Sequence, residues 1–74
     1  MAIKYKWLAS RLREQIPDYA ARGQYRLPTE SELAGRYKVS RQTVRQALAL
    51  LTEEGLIEKR RGSGSYLTGR TRQA

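Results

Sequence analysis

With 74 residues, no cysteine and no histidine, the chain has room for one small domain, and neither a disulfide framework nor a thiolate metal site can reinforce it. The same absences remove the commonest metal ligand and the commonest general base, and no apolar run approaches the roughly 20 residues that span a bilayer. Fifteen Lys and Arg stand against seven acids for a formal net charge of +8, an excess that ordinarily serves a polyanion and makes its binding salt-dependent. A basic surface that serves only solubility is the competing reading, because net charge bears on partners and not on fold. Met1-Ala2-Ile3-Lys4 lacks the apolar core of a signal peptide, so a cytoplasmic chain is expected.

Tyr5, Leu8, Leu12, Ile16 and Tyr19 recur at three- and four-residue spacing and mark one face of an amphipathic helix, with Lys4, Lys6, Arg11, Arg13 and Glu14 elsewhere on the wheel. Pro17 lacks a backbone N–H and crowds the preceding turn, so this helix is expected to stop near Ile16 or to kink there. Trp7 falls off the apolar stripe and reads as a partly covered surface ring, or alternatively as a docking contact for another domain. Gly23-Gln24-Tyr25-Arg26-Leu27-Pro28 predicts a loop with a short extended piece, since residues before proline avoid the helical region.

Thr29-Glu30-Ser31-Glu32 matches a capping box, with Thr29 as N-cap and Glu32 reaching back. Leu33, Ala34 and Tyr37 supply the buried side of this brief second helix. Lys38-Val39 forms a turn, and Ser40 caps a third helix. On that helix Val44, Ala47, Leu48 and Leu51 share the core face, and Gly55 is the stop after Glu53-Glu54. The two adjacent acids point in different directions and are expected to serve only solvation.

Alternation then takes over. Leu56-Ile57-Glu58-Lys59-Arg60 and Ser65-Tyr66-Leu67-Thr68 predict two short strands joined by Arg61-Gly62-Ser63-Gly64, a glycine-rich tip beside the densest basic cluster, Lys59-Arg60-Arg61. Residues 69–74 have nothing to bury and read as a disordered tail or the start of a linker. The predicted domain therefore covers residues 1–68. It is mainly α with a small β-hairpin, three helices plus a two- or three-stranded wing sheet.

The third helix, predicted over 40–54, carries the chemistry. Opposite its core face lie Gln42, Arg45, Gln46 and Ala49, with Arg41 and Thr43 flanking them in the first turn. Arginine suits the O6 and N7 edge of guanine, and glutamine suits the N6 and N7 edge of adenine. No acid occurs between Arg36 and Glu53, so this face carries no internal counter-charge, and the helix N-terminus favours phosphate. Any one of these side chains alone would be an ordinary solvated helix former. Together, behind a serine cap, after a short helix and before a glycine hairpin, they describe a winged helix-turn-helix that reads double-stranded DNA. Arg61 would lead the slim tip formed with Gly62, Ser63 and Gly64 to the minor groove, where a narrow groove attracts arginine.

Leu27-Pro28-Thr29-Glu30, Val39-Ser40-Arg41-Gln42-Thr43-Val44-Arg45-Gln46-Ala47-Leu48, Glu54-Gly55-Leu56-Ile57 and Arg61-Gly62-Ser63-Gly64-Ser65-Tyr66 resemble the successive signatures of the GntR-type bacterial transcription regulators. The resemblance covers nearly everything from Tyr5 to Leu67. It implies an N-terminal winged helix-turn-helix that binds an inverted-repeat operator as a homodimer, on DNA or in the full-length protein. It also implies a larger C-terminal domain, absent from this chain, that binds a small-molecule effector. Repression is the more usual outcome for such proteins. Carried over, Arg41, Thr43 and Arg45 contact bases and phosphates, Arg36 touches the backbone, and Gly62 enters the minor groove. Glu30 orients the arginines of the third helix or accepts from a cytosine amine. The full candidate DNA-contacting set is Thr29, Glu30, Arg36, Ser40, Arg41, Gln42, Thr43, Arg45, Gln46, Arg61, Gly62, Ser63 and Gly64. The chain departs from the family pattern in the loop from Pro17 to Gln24 and at Lys38, a position often held by glycine and here expected to take a left-handed conformation.

Other classes fare worse. A winged-helix module that grips nucleic acid without sequence choice, or binds a protein, is the alternative; it does not require Gln and Thr on the third helix. An enzyme is not expected, since no nucleophile–base pair, phosphate loop or paired carboxylate falls on one face. No cofactor or metal is expected in this domain. Membrane-surface binding through the first helix would consume Leu8, Leu12 and Ile16, which so small a domain needs as core.

Overall fold

A computed structural model of the chain describes residues 4–60 and 64–69. Three helices, α1 (Lys4–Ala21), α2 (Glu30–Tyr37) and α3 (Arg41–Glu53), precede two strands, β1 (Ile57–Arg60) and β2 (Gly64–Leu67). The core is wholly apolar: Leu8, Ala9, Leu12, Ile16 and Tyr19 from α1, Leu33 from α2, Val44, Ala47, Leu48 and Leu51 from α3, with Leu27, Ile57 and Leu67 closing it. Tyr5, Ala34 and Tyr37 pack against its edge half-buried.

Of the two expectations at Ile16, a stop or a kink, the stop is not observed, because the helix runs through Pro17 to Ala21. An interior proline costs about 3 kcal/mol. Ending at Ile16 would withdraw Tyr19, which is only 4% exposed, from the core. A buried aromatic ring removes roughly 150–250 Å² from water, and at about 25 cal/mol per Å² that burial outweighs the lost bond. Tertiary packing overrides the local rule.

The helix boundaries after the start of α1 have chemical causes. Thr29 accepts from the Glu32 N–H (3.1 Å) while the Glu32 carboxylate accepts from the Thr29 N–H (2.9 Å), the reciprocal capping box that the sequence predicts. Ser40 accepts from the Thr43 N–H at 3.1 Å and caps α3. All three helices end on a left-handed residue: Gly23 (φ 73°), Lys38 (φ 56°) and Gly55 (φ 77°). After α1 and α3 the orphan carbonyls are met by paired bonds, Gln24 N–H to Tyr19 O with Gly23 N–H to Ala20 O, and Leu56 N–H to Leu51 O with Gly55 N–H to Thr52 O. Lys38 takes the left-handed conformation expected of it and donates to Ala34 O, so the turn into α3 holds without glycine.

The strands pair antiparallel with Ile57 opposite Leu67, Glu58 opposite Tyr66, Lys59 opposite Ser65 and Arg60 opposite Gly64. The extended piece expected before Pro28 is present as an isolated bridge from Arg26 to Tyr66. Leu27 N–H donates to Ser65 O (2.9 Å) and Leu67 N–H to Tyr25 O (2.7 Å), so the loop lies along β2 as a partial third strand. Trp7 is 50% exposed and meets Tyr37 edge-on at 6.1 Å between ring centroids, a partly covered surface ring.

Candidate nucleic-acid interface

Helix α3 turns Val44, Ala47, Leu48 and Leu51 inward, and that leaves Arg41, Gln42, Arg45, Gln46 and Ala49 exposed on the other side. This is the face division that the 3.6-residue period predicts. Two exposed carboxamides and two guanidiniums share this surface with a single small residue, and a groove floor can approach closely at Ala49.

The two arginines are not loose. Arg41 donates from Nε (3.1 Å) and from Nη2 to the Ser31 hydroxyl, and Arg45 donates from Nη2 to the Glu30 carboxylate at 3.4 Å. Both partners belong to the first turn of α2, which the Thr29 capping box fixes. The absence of acids from the exposed face of α3 is thus only part of the local electrostatics, since Glu30 supplies a counter-charge from the neighbouring helix. Of the other predicted residues, Thr29 and Ser40 spend their hydroxyl oxygens on caps, and the Ser40 and Thr43 hydroxyls lie 2.9 Å apart. Arg36 sits in the last turn of α2 and lines a depression that it shares with Arg26 and Glu32. Gly64 opens β2 at φ 108°. Arg61, Gly62 and Ser63, the expected hairpin tip, lie outside the described residues, as does the expected tail apart from Gly69.

The basic cluster at the end of β1 is split by strand alternation. Glu58 and Arg60 face away with Tyr66: the Arg60 guanidinium bonds the Glu58 carboxylate (3.0 and 3.2 Å) and lies over the Tyr66 ring at 4.6 Å. Lys59 is on the opposite face with Ser65. There it lines a cleft of about 370 Å³ together with Arg26, Arg41, Glu30, Ser31 and Leu48. Sequence reading left Arg26 and Lys59 out of the contact set. The period-2 alternation of β1 could have separated Lys59 from Arg60, whereas nothing local in the sequence brings Arg26 to them.

Glu54 is also more than a solvated acid, contrary to expectation. Its two carboxylate oxygens accept from Arg13 Nε (2.9 Å) and Nη2 (2.6 Å), tying the middle of α1 to the end of α3. Hydrogen bonding by Arg13 holds the Glu54 carboxyl below the usual glutamate range, and the same bond raises the Arg13 guanidinium further. Glu32 is likewise lowered, first by the Thr29 backbone N–H and then by the Thr29 side chain, with smaller contributions from Arg36 and Arg26.

Three helices with a hairpin flanking an exposed, cation-rich third helix define a winged helix-turn-helix. The family model for bacterial regulatory proteins of the gntR family matches residues 4–67, and the chain belongs to that family. The chain is 48% identical over 67 residues to the mannosyl-D-glycerate transport/metabolism system repressor MngR of Escherichia coli, covering 85% of this chain and 26% of that protein. It is 36% identical over 64 residues to the transcriptional repressor NagR of Bacillus subtilis, covering 86% of this chain and 26% of the relative. Among solved structures, the N-terminal domain of AraR in complex with mutant ORR3 superposes with a TM-score of 0.77 at 29% identity, over 92% of this chain and 97% of the other. The AraR DNA-binding domain in complex with operator ORX1 gives 0.67 at 30% identity, over 92% of this chain and 82% of that one. The chain spans about a quarter of the length of MngR and NagR. These relatives are transcription regulators. Among the described residues no helix is long and apolar enough to cross a membrane.

Proposed function

We propose that this chain is the operator-binding domain of a ligand-responsive transcription regulator, most simply a repressor, and that α3 enters the major groove. The observation that carries the reading is the exposed face of α3, where Arg41 and Arg45 are held ready by Ser31 and Glu30 beside Gln42 and Gln46. Arginines on exposed, polar partners can exchange those partners for base edges or phosphates at little cost. Arg45, Gln42 and Gln46 are the base readers in this reading. Thr43, Ser40 and Arg36 contact the backbone, and the tip 61–64 reaches the minor groove. Kinship with repressors, and structural likeness to a domain bound to operator DNA, support it.

The same reading makes the domain a homodimer on an inverted repeat, its half-sites about 34 to 36 Å apart or at a multiple of that spacing. An effector would act through a further C-terminal domain joined after residues 69–74. The protein would work in the cytoplasm and catalyse nothing itself. A binding selection from random duplex DNA at two salt concentrations tests this. Enrichment of an inverted repeat, with affinity falling as salt rises, is the expected result. Salt-sensitive binding with no enriched sequence would instead establish a nonspecific module, and no binding at low salt would leave a protein partner as the surviving reading.

A further inference from the structure

The cleft between the start of α3, the first turn of α2 and the inner face of the hairpin gathers three cations that the family signatures do not mark as a group. Arg41 comes from α3, Lys59 from β1 and Arg26 from the loop paired with β2. Among the described residues, none of the three forms an ion pair. The acid that lines the cleft, Glu30, is engaged by Arg45. Glu32, the acid near Arg26, has its carboxylate on the Thr29 N–H. The hydroxyls of Ser31 and Ser65 complete a lining of donors above the apolar floor of Leu27, Pro28 and Leu48.

Arg26 lies against the backbone of Gly64. A Cβ at Gly64 would stand 3.5 Å from Arg26 Nε and 3.8 Å from Nη2, ordinary contact distances that place this guanidinium beside the start of β2. Lys59 owes its place to register, since pairing with Ser65 puts both on the face turned to α3. Three cations with unspent charge, two hydroxyls and one opening suit a phosphate group.

We propose that this cleft seats a backbone phosphodiester of DNA, with Arg26 and Lys59 as anchoring residues beside Arg41. The assignment rests on the operator-binding reading above. It follows from position: the cleft opens between the helix assigned to the major groove and the hairpin assigned to the minor groove, where the strand separating the two grooves must pass. Contacts of this kind set register and affinity without reading sequence.

The test uses the 74-residue chain and measures affinity against salt on the selected duplex and on random duplex. Arg26→Gln and Lys59→Gln each remove one phosphate contact, so each is expected to reduce the slope of log affinity against log salt by about 0.9. A fourfold rise in salt then weakens each variant about 3.5-fold less than the unmodified chain. Selected and random duplexes should lose affinity by the same factor, and Arg26→Lys should keep the original slope. Unchanged slopes in both glutamine variants overturn the proposal, as does a slope lost equally in Arg26→Lys and Arg26→Gln. A second arm titrates inorganic phosphate against chloride at matched ionic strength, following the Gly64 and Ser65 amides of the free protein by NMR. Saturation by millimolar phosphate that Lys59→Gln abolishes, with DNA slopes unchanged, would assign the cleft to a free anion and overturn the DNA assignment. Failure of the unmodified chain to prefer any sequence would sink the operator reading alone, because the slopes can be measured on any duplex.

Discussion

The two ends of α3 are held in opposite ways. Its C-terminal end is tied down by the two-bond Arg13–Glu54 bridge, by the Thr52 hydroxyl on Leu48 O (2.8 Å) and by the bonded exit through Gly55 and Leu56. Its N-terminal half carries Arg41 on a neutral hydroxyl and Arg45 on a carboxylate at 3.4 Å, both exposed. The difference teaches a division of labour. Besides the Ser40 cap, the side-chain bonds of the N-terminal half hold exposed arginines on α2, whereas those at the C-terminal end tie the helix to α1 and to its own exit. Under the proposed operator-binding reading, the helix is anchored by one end and reads with the other.

Removing the core packing of the C-terminal half of α3 should have the largest effect. Leu51 is fully buried in the C-terminal half of α3, so Leu51→Ala is expected to destabilise the domain by about 2–5 kcal/mol in chemical denaturation. In so small a domain that is a large part of the total. A loss below about 1 kcal/mol would mean that α3 is not seated as described.

At the reading end, Arg45→Ala should leave the melting temperature nearly unchanged. It is expected to cost about 1–3 kcal/mol of operator affinity and to relax preference at one base position. Equal losses on operator and random DNA would reassign Arg45 to phosphate. Ser40→Ala removes the side-chain acceptor for the Thr43 N–H and should lower stability by about 1 kcal/mol, a cap effect readable by denaturation.

The Arg13–Glu54 bridge should give the smallest change, because its side chains are 39% and 36% exposed and solvent screens them. Its signature is the direction of the pH effect. The Glu54 carboxyl is lowered in the fold, so its contribution is complete above the ordinary glutamate value and disappears as pH falls through the lowered one. Glu54→Gln should therefore lower the melting temperature slightly at neutral pH and narrow the gap from the parent in acid. A gap that widens on acidification would reverse the sign and refute the account.

Much of this architecture was legible because its causes are local. The Thr29 box, the Ser40 cap, the α3 face and the left-handed Lys38 each depend on residues within one or two turns. The stop at Pro17 did not occur because the proline's cost is local while the burial of Tyr19 that opposes it is tertiary. Glu54 finds Arg13 across 41 residues, and no periodicity announces such a pair. Arg26 was hidden for the same reason, as it joins Lys59 only once the loop has paired with β2. Glu30 was legible as a partner for the arginines, and the 3.4 Å contact to Arg45 agrees with that expectation.

The hairpin register carries one more consequence. A slip of a single residue would exchange the two faces of β1, sending Lys59 outward with Ile57 and swinging Arg60 and Glu58 into the cleft. Because Ile57 is core, hydrophobic burial acts as a parity check on which cation faces inward. The inward cation is thus chosen by the interior rather than by its own charge.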